Sequence, residues 1–223
     1  MKKKAFILFL KYPERGAVKT RLASVLGDDL TYKLYQCFLV DISAMTRQVK
    51  AQTIIVYSGS EGVSFLDFPD IQCIRQRGID IGVRMYNSFL DVFAQGFERC
   101  VLTGSDSPDL PVGQVNDAFD KLDSDDLVLG PSSDGGYYLI GCKRQSLCPS
   151  IFNGISWNTS EVHTETIKRI DEARLKDAQL PQWADVDEFD DLRKFYERNI
   201  HRSTESQVMK FLITKGIINE SKS

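Results

Sequence analysis

Short unbroken apolar runs alternate with amphipathic stretches of helix length along the first two thirds of this chain, and that alternation constrains its fold most. The first run, residues 5–10, is apolar at every position. It has no polar face, as expected of a strand covered on both sides of a parallel sheet. Residues 53–57, 100–103, 127–130 and 137–140 repeat the pattern, and 71–74 is a shorter candidate. Between the runs lie helical periods. Leu30, Leu34, Phe38, Ile42 and Met45 recur every three or four residues, in a stretch that starts near Thr20, breaks at Gly27 and resumes to about Val49. Met85, Phe89, Leu90 and Phe93 mark another helix, and a further one follows Pro111 to about Leu122. Such alternation predicts an α/β fold with a parallel sheet flanked by helices and right-handed crossovers.

The last third is looser. Thr159 or Ser160 is placed to cap a helix reaching about Ala173. Residues 191–198 and 205–215 read as two more helices, so the chain ends in a helical segment at about 190–217, and 180–187 reads as strand or loop. No repeat or linker interrupts the 223 residues, which fit one domain spanning 1–223.

Composition removes several functions. Lys and Arg total 28 against 31 Asp and Glu, so there is no broad basic footprint for nucleic acid. No apolar run approaches the ~20 residues of a transmembrane helix, and 5–10 is too short for a signal-peptide core. Five cysteines without a C-x-x-C pair fit neither a disulfide framework nor a zinc site, and suggest a reducing cytoplasm. His163 and His201 are the only histidines, too few for a three-histidine metal site. His163 reads as a surface helical residue, and Trp157 and Trp183 as core or pocket wall.

Open α/β sheets bind ligands beyond the carboxyl ends of their strands, which directs attention to four segments. After the first run, Pro13 and Gly16 mark a loop carrying Lys19 and Arg21 into a helix. Two cations and free backbone N–H groups there suit a phosphate, although the same residues could simply open a helix at the surface. The chain lacks the second glycine of a Walker A loop. After residues 100–103 come Gly104, Ser105, Asp106, Ser107, Pro108 and Asp109. A carboxylate off a buried strand suits Mg²⁺ or Mn²⁺, while Asp109 or Ser107 could cap the next helix. Gly130 to Tyr138 holds Asp134, Gly135, Gly136 and Tyr137. It admits close approach of a ligand or a plain hairpin. Five acids between Asp185 and Asp191 read most simply as a solvated helix N-terminus.

Together, Gly16-x-x-Lys19-Thr20-Arg21-Leu22, the segment from Gly104 to Pro111, the segment from Asp134 to Gly141 and Trp157-x-Thr159 resemble the glycosyltransferase-A-like family of selenodomain-associated transferases. More distantly the chain is similar to phospholactate and molybdenum-cofactor guanylyltransferases. The resemblance implies a nucleotide-diphospho-sugar transferase fold, a three-layer α/β/α Rossmann-like and mostly parallel sheet. It implies nucleotide contacts from Pro13, Gly16, Lys19, Arg21, Gln76, Gly78 and Ser105, and a Mg²⁺ or Mn²⁺ ion on Asp106 and Asp187. At the second of these positions Glu188 and Phe189 stand where the relatives carry Thr and Pro.

The resulting expectation is a metal-dependent transferase with a nucleotide-activated donor. Lys19 and Arg21 would neutralise the leaving phosphate, Asp134 would orient or deprotonate an acceptor hydroxyl, and Gly135, Gly136, Tyr137 and Trp157 would form the acceptor side. Glycosyl transfer from a nucleotide-diphospho-sugar leads. Nucleotidyl transfer from a nucleoside triphosphate to a phosphorylated acceptor, and nucleotide binding without turnover, stay open. Sequence leaves the acceptor and the oligomeric state undetermined.

Overall fold

The computed structural model describes residues 3–60 and 70–218. Among the described residues seven strands form one sheet in the order β3-β2-β1-β4-β6-β5-β7. They are β1 (Lys4–Lys11), β2 (Gln52–Ser58), β3 (Gln72–Arg75), β4 (Arg99–Thr103), β5 (Leu127–Pro131), β6 (Tyr137–Lys143) and β7 (Asp177–Gln179). Only β6 runs against the rest, pairing antiparallel with both β4 and β5. The hairpin reading of the Asp134 segment therefore holds: β5 turns back into β6.

Seven α-helices of the described residues cover the two faces: α1 (Thr20–Leu26), α2 (Asp28–Thr46), α3 (Ile81–Phe93), α4 (Val112–Lys121), α5 (Val162–Glu172), α6 (Phe189–Arg198) and α7 (Gln207–Lys215). Strand alternation explains the division. Phe6 and Leu8 of β1 face Leu34, Phe38 and Ile42 of α2, together with residues of α1, α4, α6 and α7. Ala5 and Ile7 face Met85, Phe89 and Val92 of α3, and Ile170 of α5. All four β1 residues are fully buried, which is why the run could carry no polar face. The three-layer α/β/α expectation is met.

The helical end is tied down by charge as well as by packing. Asp41 of α2 accepts hydrogen bonds from the Ser206 hydroxyl at 2.6 Å and from the backbone N–H groups of Gln207 and Val208 at 2.8 and 3.1 Å. One carboxylate thus satisfies orphan donors of α7 and docks it on α2.

Two expectations about caps fail. Glu161, not Thr159 or Ser160, sits at the start of α5, and the Thr159 hydroxyl instead closes a turn onto the Ser156 carbonyl at 2.7 Å. Asp109 and Ser107 do not cap α4, whose N-cap is Pro111. Asp109 is buried and accepts from Arg198 Nε at 2.7 Å, Arg198 Nη2 at 3.1 Å and Asn199 Nδ2 at 2.6 Å. The demand of that cationic partner outweighs a cap worth ~1 kcal/mol.

Candidate active site

Lys19 is the pivot of the site. Its ammonium is ion-paired to Asp106 and, at 2.6 Å, to Asp187. Asp106 follows the end of β4, and Asp187 precedes α6. Their segments are joined by a hydrogen bond from the Val186 N–H to the Asp106 carbonyl at 2.9 Å. The Lys19 side chain is only 5% exposed, while the two carboxylates are about half exposed. Burial alone would depress the Lys19 pKa more than any other single factor, but the charges and hydrogen bonds of Asp106 and Asp187 together raise it. The backbone of Lys19 is left-handed, with φ 49° and ψ 47°, at a cost of roughly 1–2 kcal/mol for a side-chain-bearing residue. Strain and desolvation thus fall on one residue, a combination that marks functional sites.

Lys11, Lys19, Arg21 and Arg84 bring positive charge to the wall of a cleft of about 490 Å³ over the ends of β1 and β4. Arg21 pairs with Glu188 at 3.3 Å with both side chains exposed, a contact worth ~0–1 kcal/mol that a phosphate can replace. The expected contribution of a helix N-terminus is small, because α1 has only seven residues. The positive charge of the cleft therefore comes from its side chains.

The other predicted nucleotide residues divide into lining and shaping ones. Ser105 lines the cleft, with its hydroxyl 2.9 Å from that of Tyr35. Gln76 lines it too, but Nε2 donates to the carbonyls of Leu10 and Val56, both at 3.1 Å. Those bonds use both amide protons and orient Oε1 as the remaining polar atom. Pro13, Gly16 and Gly78 lie outside the residues lining the cleft. Gly78 instead accepts from Arg84 Nε at 3.0 Å, so its place is to hold a cation of the cleft.

Next to the cleft, and sharing Asp106 with it, is a smaller cavity of about 170 Å³. Asp134, Gly136, Tyr137 and Trp157 line it together. Asp134 Oδ1 accepts from the Ser132 hydroxyl and from the Gly136 N–H, the latter at 3.0 Å. Gly135 does not line the cavity. It has φ +90°, and a Cβ there would stand 2.1 Å from the Ser160 carbonyl oxygen. The close approach is therefore made by backbone, and it fixes the turn that aims Asp134.

Sequence reading passed over Asp185, Thr103 and Arg84. Asp185 lay in an acid run read as a solvated helix start, and part of that run is one: Asp191 accepts from the Glu188 N–H at 3.0 Å. Asp185 itself lines the small cavity. Burial first, then the charges of Asp134, Asp187 and Asp106, push its pKa up to about 6. The only available hint was its two-residue spacing from Asp187. Thr103 ends the expected strand 100–103, and Arg84 stands beside Met85 with no motif to mark it.

The residues suit a divalent cation. One oxygen each of Asp106 and Asp187 already reaches a single positively charged point. Mg²⁺ and Mn²⁺ take such hard oxygen donors, one or two carboxylates completed by water and phosphate. Among the described residues no group of three or more His, Cys, Asp or Glu forms a closed metal cage.

The sequence family described as "Uncharacterized protein conserved in bacteria (DUF2064)" matches residues 41–159. No curated protein matches the chain. Among solved structures, the chain is similar to a "putative nucleotide-diphospho-sugar transferase" from Desulfovibrio desulfuricans G20, with TM-score 0.91 and 36% identity over 97% of this chain and 96% of that one. It shares its fold with CMP:2-keto-3-deoxy-manno-octonic acid synthetase complexed with CTP (TM-score 0.58, 11% identity, 90% and 99% covered). Rv0371c of Mycobacterium tuberculosis H37Rv, solved in complex with manganese, shares it too (TM-score 0.52, 15% identity, 88% and 99% covered). No helix among the described residues is long and apolar enough to cross a membrane, and no disulfide joins any of them.

Proposed function

The chain belongs to the family described as "Uncharacterized protein conserved in bacteria (DUF2064)", and we propose that it is a metal-dependent transferase that moves a glycosyl group from a nucleotide-diphospho-sugar to a small hydroxyl acceptor. The observation that carries this reading is the convergence of Asp106 and Asp187 on Lys19, at the rim of a cleft lined by four cations. Asp106 and Asp187 would hold Mg²⁺ or Mn²⁺. When bound, the ion supplies charge neutralisation to a diphosphate. Lys19 and Arg21 face the same phosphates and stabilise the charge that develops on the leaving group. Ser105 and the Gln76 side-chain carbonyl line the nucleotide end of the cleft, with Pro13, Gly16 and Gly78 shaping the loops around it. Asp134 orients the acceptor hydroxyl and takes its proton. The manganese in one structural neighbour and the CTP in another support a metal and a nucleotide as ligands for this fold.

Thermal-shift screening of nucleoside di- and triphosphates and nucleotide sugars, with and without Mg²⁺ or Mn²⁺, tests the proposal. Ligand at a hundred times its Kd adds ~2.7 kcal/mol of stability. A metal-dependent shift that Asp106→Asn abolishes is expected. No shift with any nucleotide, or unchanged metal dependence in Asp106→Asn, overturns the reading. Release of nucleoside diphosphate marks glycosyl transfer, whereas release of pyrophosphate marks nucleotidyl transfer, the reading that the CTP-bound neighbour favours.

A further inference from the structure

Two compartments of opposite charge meet at Asp106. The larger cleft carries Lys11, Lys19, Arg21 and Arg84. The cavity of about 170 Å³ carries Asp106, Asp134 and Asp185, and none of the described residues lining it is Lys, Arg or His. Thr103 lines this cavity as well. It is 1% exposed, and its hydroxyl has no hydrogen-bond partner. Buried hydroxyls are nearly always bonded, so a lone one beside a cavity marks where a ligand group completes the structure. Trp157 meets Tyr137 edge-on, with centroids 6.5 Å apart, and gives the cavity an aromatic wall.

We propose that this cavity receives the acceptor, and that the acceptor is a small hydroxyl compound with no negative charge. The inference rests on the reading that the neighbouring cleft binds a nucleotide-activated donor. A phosphorylated or carboxylated acceptor would bring its anion against Asp134 and Asp185 with no cation on the cavity wall, the Lys19 charge being already engaged by Asp106 and Asp187, and partial burial strengthens the repulsion. A polyol meets no such repulsion. It presents hydroxyls to Asp134 and Thr103 and a C–H face to Trp157. The space corresponds to about five or six water volumes, enough for a triol or one end of a hexose.

In the transfer step the acceptor oxygen bonds to the anomeric carbon of the donor sugar. The bond from that carbon to the diphosphate oxygen breaks, and its electron pair leaves with the nucleoside diphosphate towards Lys19 and Arg21. The hydroxyl proton passes to Asp134. Both intramolecular bonds of Asp134 go to Oδ1, so Oδ2 is the oxygen that accepts it.

Saturation-transfer NMR on the full chain with Mg²⁺ and a nucleoside diphosphate tests the inference. The probes are glycerol, glucose and inositol, each beside its monophosphate. At least one neutral polyol is expected to bind, and Thr103→Val is expected to weaken it about tenfold, as loss of one hydrogen bond does. The same substitution removes an unpartnered buried hydroxyl, so thermal stability is expected to hold or rise while affinity falls. A merely structural role would move the two together. Phosphate esters that bind as well as their parents, or no polyol binding up to 50 mM (about the weakest range such NMR reads), would overturn the inference. Calorimetry of nucleotide binding, run separately with Asp106→Asn, reports on the transferase reading alone. A polyol site sensitive to Thr103→Val in a protein that binds no nucleotide would leave the ligand class standing and sink the donor.

Discussion

Arg198 grips Asp109 with two parallel hydrogen bonds, Nε to Oδ2 at 2.7 Å and Nη2 to Oδ1 at 3.1 Å. The carboxylate is 3% exposed and the guanidinium 26%. The pair joins α6 to the loop after β4, the loop that carries Asp106.

Asp109→Ala takes the carboxylate away from Arg198 and Asn199, leaving Arg198 Nη2 only the Ala184 carbonyl at 3.3 Å and the Asn199 amide only the Phe195 carbonyl at 2.9 Å. Breaking a buried pair from one side costs about 3–5 kcal/mol. Urea denaturation should show that loss as a lowered midpoint at unchanged slope. Asp109→Leu combined with Arg198→Met should cost less than the sum of the two single changes, since no charge then stays buried alone. A loss under ~1 kcal/mol in Asp109→Ala would remove the anchoring role.

Lys19→Met takes away the cation between Asp106 and Asp187. Two half-exposed carboxylates are then left facing each other, and a divalent cation relieves them. Affinity for Mn²⁺ without nucleotide should rise about tenfold, ~1.4 kcal/mol, while affinity for the metal–nucleotide pair should fall as a phosphate-facing charge is lost. Calorimetry of both titrations checks this. Unchanged or weaker Mn²⁺ binding would mean that the two acids do not share a cation.

Asp126 gives the fold an acid-sensitive point. The Ser146 hydroxyl, at 2.7 Å, is the chief cause that holds its carboxyl below the ordinary 3.8, and burial opposes it. A carboxyl whose pKa is lower when folded stabilises the protein above its unfolded pKa, and that contribution disappears as pH falls through the folded value. Stability should therefore decline as pH drops below about 4. Asp126→Asn should be less stable at pH 7 and lose less between pH 5 and pH 3. Parallel melting curves for the two proteins across that range would exclude the effect.

Much of this architecture could be read from the chain. The run at 5–10 revealed a strand buried on both faces, and Gly27 revealed the break between α1 and α2, because burial and backbone freedom are local properties. The pairing of β6 against β4 was not legible, since strand direction depends on where a hairpin folds back. Lys19 and Asp106 stood out by their position after strands. Asp185 and Thr103 did not, because their meaning arises only when the segment before α6 crosses the end of β4. Asp109 was misread for a related reason: its partner Arg198 is 89 residues away.

The sequence distance between Lys19 and Asp187, 168 residues, has a consequence for biosynthesis. A nascent chain displays Lys19 and Asp106 long before Asp187 has been made. The seven strands of the described residues are complete by Gln179, so a ribosome-bound fragment ending there would hold every strand of the sheet and only Asp106 of the proposed metal-binding pair. Chemistry would switch on only when α6 docks. Under the proposed function, nucleotide capture would thus also report whether the segment carrying Asp187 has been made and docked.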